Sequence, residues 1–281
     1  ATSVDTADFA AALERPESQQ RFRIVADDRE LSAMLDAPLQ QWRVFLHPIQ
    51  RRLVAMRSKG PVRVLGGAGT GKTVVLMHRA CHLLRKVFTA ADDRILVTTF
   101  TRNLAADLKA NLAHLCGRDA ERIDVVHLHA WTARFLRRQG QEFEIVEDDA
   151  ARAAMQQAID EVGDAGLPHA FFLDEWRRVV RPQEVVERAG YLAARRVGRG
   201  TRLSRGQRLE VWKVFARYRE LLDDLGKVEW QDVVRQAREW IERHGVDVPY
   251  GAVLADEVQD FECGELRLLR ALVPPGPDDL F

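Results

Sequence analysis

Eight consecutive residues constrain this chain more than any other feature. Gly66-Gly67-Ala68-Gly69-Thr70-Gly71-Lys72-Thr73 fits the pattern GxxxxGK followed by Ser or Thr. An apolar run, 62–65, precedes it, and residues 72–84 follow with helical periodicity. A strand, a glycine loop and a helix in that order make a phosphate cradle. Glycines let successive N–H groups turn inward around an anion. The positive end of the following helix points at the same charge. Gly67, Ala68, Gly69, Thr70 and Gly71 would wrap the phosphates, Lys72 would reach the β- and γ-phosphates, and the Thr73 hydroxyl would ligate Mg²⁺.

The surroundings of the loop set the fold class. Residues 94–99 and 123–126 are further buried-strand candidates, and helical patterns follow at 102–114 and 130–138. Strands alternating with helices indicate parallel βαβ units with right-handed crossovers. From 148 to 244 the alternation stops and only helical patterns remain, at 150–162, 171–180, 183–195, 205–225 and 230–243. Residues 252–255 restore an apolar strand, and 264–272 read as a helix. The expectation is an α/β parallel sheet interrupted by an inserted all-helical subdomain. Residues 1–45 read as short amphipathic helices, with Asp27 and Asp28 as N-caps before 29–35.

The loop needs an acidic partner at the end of another parallel strand. Asp256 and Glu257 follow 253–255 directly, and the run continues Val258-Gln259-Asp260. Asp256 would hold Mg²⁺, and Glu257 would orient or deprotonate an attacking water. No NKxD-type guanine-reading motif is present, which favours ATP over GTP.

The chain's 42 basic and 42 acidic residues cancel, but unevenly. Between Trp176 and Arg219 there are 13 Lys and Arg against 3 Asp and Glu. Within that stretch Arg195, Arg196, Arg199, Arg202 and Arg205 lie in a Gly- and Arg-rich segment expected to be a loop, either a solvated face or a phosphate-binding surface. The three cysteines, Cys81, Cys116 and Cys263, are scattered, as expected of a reduced, cytoplasmic protein without a disulfide framework. No apolar run reaches membrane-spanning length.

Taken together these motifs resemble superfamily 1 DNA helicases of the UvrD/Rep class. The loop looks like their motif I and DEVQD at 256–260 like motif II. LHPIQRRLV at 46–54 resembles the Q motif, whose glutamine, here Gln50, reads adenine. ILVTTFTRNLAADL at 95–108 looks like motif Ia, and VVHLHAW at 125–131 resembles the next motif, with His129 at the family's histidine. The resemblance implies a RecA-like ATP-binding domain over 46–139 and 247–281, with the helical insertion at 140–246. It implies ATP-driven translocation along single-stranded DNA, 3′ to 5′, with action at single/double-strand junctions. Catalytic roles fall to Lys72, Asp256, Glu257 and Gln259. Thr99, Phe100, Arg102 and Asn103 would line the strand path together with His129, and the insertion's arginines would meet DNA phosphates.

Two departures matter. Val74 stands where many relatives have arginine. A second RecA-like domain, which in the family supplies arginine fingers, is not among these 281 residues. The alternative function is therefore a nucleotide- and DNA-binding module without turnover of its own. A small-molecule kinase is a weaker alternative, disfavoured by DEVQD and Gln50.

Overall fold

β-strands β1 (Arg94–Thr99), β2 (Ile123–His127) and β5 (Tyr250–Ala255) form a parallel sheet in the order β2-β1-β5. The computed structural model describes residues 46–245 and 250–281, so the helical lead-in expected over 1–45, with Asp27 and Asp28, lies outside the described residues. β5 and the middle of β1, Ile95 to Val97, are apolar because both faces of the sheet are covered. Ile95 and Val97 of β1 face α2 (Lys72–Lys86) and α3 (Arg102–Cys116), as do Ala252 and Leu254 of β5. Leu96 and Val253, one residue out of phase, face α4 (Leu128–Arg138) and α10 (Cys263–Ala271). The period of two along each strand thus builds two cores.

The run 62–65 does not form a strand ladder. Val62 donates to the Leu280 carbonyl at 2.9 Å, and residues 279–281 in turn pair with β5. Leu65 is 76% exposed. A strand needs a neighbour in register, and 64–65 face Ala255 and Asp256 across a cavity of about 650 Å³ instead.

The insertion has a core of its own, running from Val146 to Leu222. It is built by α5 (Asp148–Val162), α6 (His169–Glu175), α7 (Arg188–Ala193) and α8 (Arg205–Asp224). A π-turn, Trp176–Val180, extends α6. The helix expected over 183–195 shortens to α7, because Glu184 takes the left-handed region at φ 51° and the chain turns before Arg188. Two strands escaped the sequence reading. β3 (Glu144–Ile145) and β4 (Lys227–Val228) pair in parallel at the insertion's base. At two residues each they carry no readable period.

Helix α9 (Trp230–His244), grouped with the insertion from sequence, sends Val233, Val234, Ala237 and Ile241 into the core shared by α4 and α10. The cysteines correct another expectation. Cys81 of α2 and Cys116 of α3 form a disulfide, Cα atoms 5.5 Å apart, and Cys263 is free. The 35-residue separation hid the fact that both occupy the buried, facing sides of neighbouring helices.

Candidate nucleotide and nucleic-acid site

The phosphate loop leads into α2, whose N-cap Gly71 has φ 80°. A side chain there would meet both a left-handed backbone and Gln50, since a Cβ would lie 2.8 Å from Gln50 Nε2. That contact is purposeful: Gln50 Nε2 donates to the Thr70 carbonyl at 2.8 Å, and Gln50 Oε1 accepts from the His47 amide at 3.0 Å. The glutamine is thereby seated on the loop. Thr70 Oγ1 donates to the Gly67 carbonyl, closing the loop on itself. Lys72 Nζ reaches back along it to the carbonyls of Gly66 and Gly67, at 3.1 and 3.0 Å. Ala68 and Lys72 line the 650 Å³ cavity together with Asp256, Glu257 and Gln259.

The two halves of the motif meet directly. Thr73 Oγ1 donates to Asp256 Oδ2 at 2.7 Å, across 183 residues of sequence. Asp256 is buried, and burial pushes its carboxyl above the usual range, against the Thr73 hydroxyl, which favours the charged form. Glu257 adopts the left-handed region, φ 52° and ψ 43°, without being glycine. Its carboxylate accepts from Gln259 Nε2. The turn at the end of β5 thus leaves both acids lining the cavity and holds the second through Gln259. A hydroxyl beside a carboxylate is an oxygen donor set suited to Mg²⁺, which keeps several waters. Among the described residues no group of three or more His, Cys, Asp or Glu could form a closed metal cage.

The strand-path residues divide. Phe100 is 38% exposed, its ring 6.0 Å from that of Phe261 just past the acidic motif. Arg102 and Asn103 are exposed on the first turn of α3, whose N-cap Thr101 accepts from the Leu104 amide. Thr99 is fully buried and out of reach of a nucleic acid, because the last strand residue points into the sheet's packed face. His129 is engaged within the protein: its Nε2 lies 2.6 Å from Glu265 Oε1, and its ring stacks on Trp230 at 4.6 Å. Sequence reasoning missed a groove of about 360 Å³ lined by Arg102, Arg134, Arg137, Phe143 and Trp230. Arginine interleaved with aromatics over 130–145 was the available signal.

The insertion's arginines divide as well. Glu175 is completely buried, and Arg196 and Arg199 both close on it, Arg199 Nε at 2.9 Å. The Tyr191 hydroxyl completes the set at 3.0 Å. Arg196 and Arg199 are therefore internal fasteners and do not form a phosphate-binding surface. Arg195 and Arg202 remain exposed on the same loop, and Arg205 is exposed at the start of α8. Val197 between them is 90% exposed.

Comparison with known proteins identifies the family. Residues 46–280 match the model of the UvrD/REP helicase N-terminal domain. The chain is 36% identical over 112 residues to the ATP-dependent DNA helicase PcrA of Leuconostoc citreum, a stretch covering 37% of this chain and 15% of that protein. It is 36% identical over 93 residues to PcrA of Bacillus subtilis, 33% of this chain and 12% of that protein. A probable DNA helicase II homolog of Mycoplasma pneumoniae is 30% identical over 101 residues, 36% of this chain and 14% of that protein. The matched stretches thus span less than a sixth of these relatives' lengths. With its parallel sheet, phosphate loop and paired acids, and a family match across most of its length, the chain belongs to the UvrD/REP helicase family.

Proposed function

We propose that these residues form the nucleotide-binding part of an ATP-driven motor that moves along single-stranded DNA, 3′ to 5′, and opens duplex at junctions. The observation that carries it is the Thr73–Asp256 contact at 2.7 Å, which joins the phosphate loop to the acid pair at the end of β5, the neighbour of β1, whose end leads into exposed Phe100 and Arg102. Relatives named as ATP-dependent DNA helicases support the same reading.

In this reading Gln50 reads adenine, Gly67 to Gly71 and Lys72 hold the phosphates, and Thr73 and Asp256 hold Mg²⁺. The cation, when bound, neutralises charge developing on the phosphates. Glu257, steadied by Gln259, orients the attacking water and takes its proton. Phe100 stacks on bases while Arg102 and Asn103 follow the backbone. The groove of Arg134, Arg137, Phe143 and Trp230 extends that path, and Arg195, Arg202 and Arg205 contact phosphates from the insertion. The second reading is a nucleotide- and DNA-binding module with little turnover of its own, since transition-state arginines can contribute about 10³–10⁵-fold to phosphoryl transfer.

The test is phosphate release by the intact protein with and without single-stranded DNA. Stimulation that vanishes in Lys72→Ala is expected. An identical rate with and without DNA overturns the motor reading. Phosphate appearing on a small-molecule acceptor would establish a kinase instead.

A further inference from the structure

A buried arginine sits behind the nucleotide site, on the helix that carries the phosphate-binding lysine. Arg79 lies seven residues after Lys72 on α2 and is 1% exposed. Seven residues are two helical turns, so Lys72, Leu76 and Arg79 share one face. One guanidinium nitrogen, Nη1, donates to the carbonyls of Val54 and Met56 at 2.7 and 2.6 Å. The other, Nη2, donates to Asp278 Oδ1 at 2.6 Å. Asp278 is itself buried and accepts from the Ser58 amide at 2.8 Å, while its own amide donates to the Ser58 carbonyl.

The segment held in this way is helix α1 (Arg51–Ala55) and the turn after it. Five residues make no stable helix by themselves, and the carbonyls at its end lack intrahelical partners. Arg79 supplies them. At the other end of α1 stands Gln50, seated on Thr70. A buried ion pair is a costly way to add stability, and its better-attested use is to fix one geometry.

We infer that Arg79, locked by Asp278, is the positioning residue for base recognition: it fixes the short helix that presents the Gln50 amide to the adenine ring. The inference rests on the proposed role of Gln50. With one Nε2 hydrogen on Thr70 and one Oε1 lone pair on His47, the amide keeps one donor and one acceptor for a base edge. Adenine offers the complementary N7 acceptor and N6 donor, whereas guanine offers two acceptors there. Discrimination therefore depends on the amide staying in register with the loop. Lysine at position 79 keeps the charge but cannot bridge two carbonyls and a carboxylate in one plane.

The experiment measures equilibrium binding of ATP, GTP and inorganic tripolyphosphate to the same chain. Wild type is compared with Gln50→Ala, Arg79→Lys and Asp278→Asn, each checked by thermal unfolding. Arg79→Lys is expected to lower the ATP-to-GTP affinity ratio as far as Gln50→Ala does, by about tenfold, the size of one bidentate base contact. Asp278→Asn should do so in part, and Arg79→Lys and Asp278→Asn should both bind tripolyphosphate within about twofold of wild type, since neither residue touches the loop that holds it. A general loss of packing would weaken all three ligands together. That outcome, or an unchanged ratio in folded Arg79→Lys and Asp278→Asn while Gln50→Ala loses it, overturns the inference alone. If Gln50→Ala keeps the wild-type ratio, the adenine reading falls and this inference with it. Should Arg79→Lys not fold, Asp278→Asn decides: a lowered ratio supports the positioning role and an unchanged ratio overturns it.

Discussion

At the scale of single residues, the site combines contacts that chemistry predicts with conformations that it does not. Thr73 and Asp256 were paired by motif, and they are hydrogen-bonded at 2.7 Å. The left-handed backbone of Glu257 could not be read, because nothing in Asp-Glu-Val-Gln-Asp demands φ 52°. Such strain persists only where the surroundings impose it, commonly at functional sites. If Glu257 takes the proton of the attacking water, as proposed, removing its charge while keeping its shape is expected to leave nucleotide affinity intact. Glu257→Gln should lower phosphate release by the intact protein by about 10²–10⁴-fold. Equal rates for variant and wild type in a phosphate-release assay would assign the base elsewhere. Asp278 makes a pH prediction. Burial alone would raise its carboxyl, but the Ser58 amide and the Arg79 guanidinium outweigh burial and hold it below the usual range. A carboxyl lowered in the folded state contributes stability above its unfolded pKa of about 3.9, lost as pH falls through the folded value. Denaturant titrations of wild type should therefore show stability falling with acid below about pH 4 more steeply than in Asp278→Asn.

At the scale of elements, long periodic segments were legible and short or partnered ones were not. Helix α8 announces itself through Ser204 and Gln207, which form a capping box at its start. The two-residue strands β3 and β4 have no period to detect, and 62–65 has strand composition without a ladder. The Gly- and Arg-rich loop looked uniform in sequence because arginine's charge does not say where its guanidinium goes. Only folding brings Glu175 beneath it, and Arg196 and Arg199 turn inward while Arg195, Arg202 and Arg205 stay out. Removing Glu175 leaves two arginines and the Tyr191 hydroxyl without their shared acceptor. Glu175→Ala is expected to destabilise the insertion by about 3–5 kcal/mol. Chemical denaturation followed by the fluorescence of Trp176 and Trp212, both in the insertion's core, would read it. A loss below about 1 kcal/mol would show the cluster to be no more than a surface ion pair.

At the scale of the whole molecule, the zero net charge conceals a division of labour. Of the thirteen basic residues between Trp176 and Arg219, some face acids or carbonyls inside the fold, as Arg181 faces Glu229 and Arg219 the carbonyls of Val185 and Val186. Those left exposed on the loop and at the start of α8 are the ones the proposed function assigns to DNA. Replacing Arg195, Arg202 and Arg205 together with glutamine should reduce the slope of log K against log salt for single-stranded DNA by about 2. Arg196→Gln should leave that slope unchanged and lower stability instead; the reverse pattern would return the phosphate contacts to the clamped arginines. The Cys81–Cys116 link makes a simpler prediction. Thiol titration of the denatured, unreduced protein should find only Cys263, and three thiols would show the bond open. The sequence by itself determined the phosphate loop and its acidic partner, the parallel sheet and the presence of an insertion, because loop motifs and strand–helix alternation are local patterns. Tertiary structure alone decided which cysteines meet, that α9 packs beneath the sheet, that Thr99 is buried and His129 engaged, and which arginines remain free. Each of these depends on a partner far along the chain, and no local pattern encodes that partner's distance.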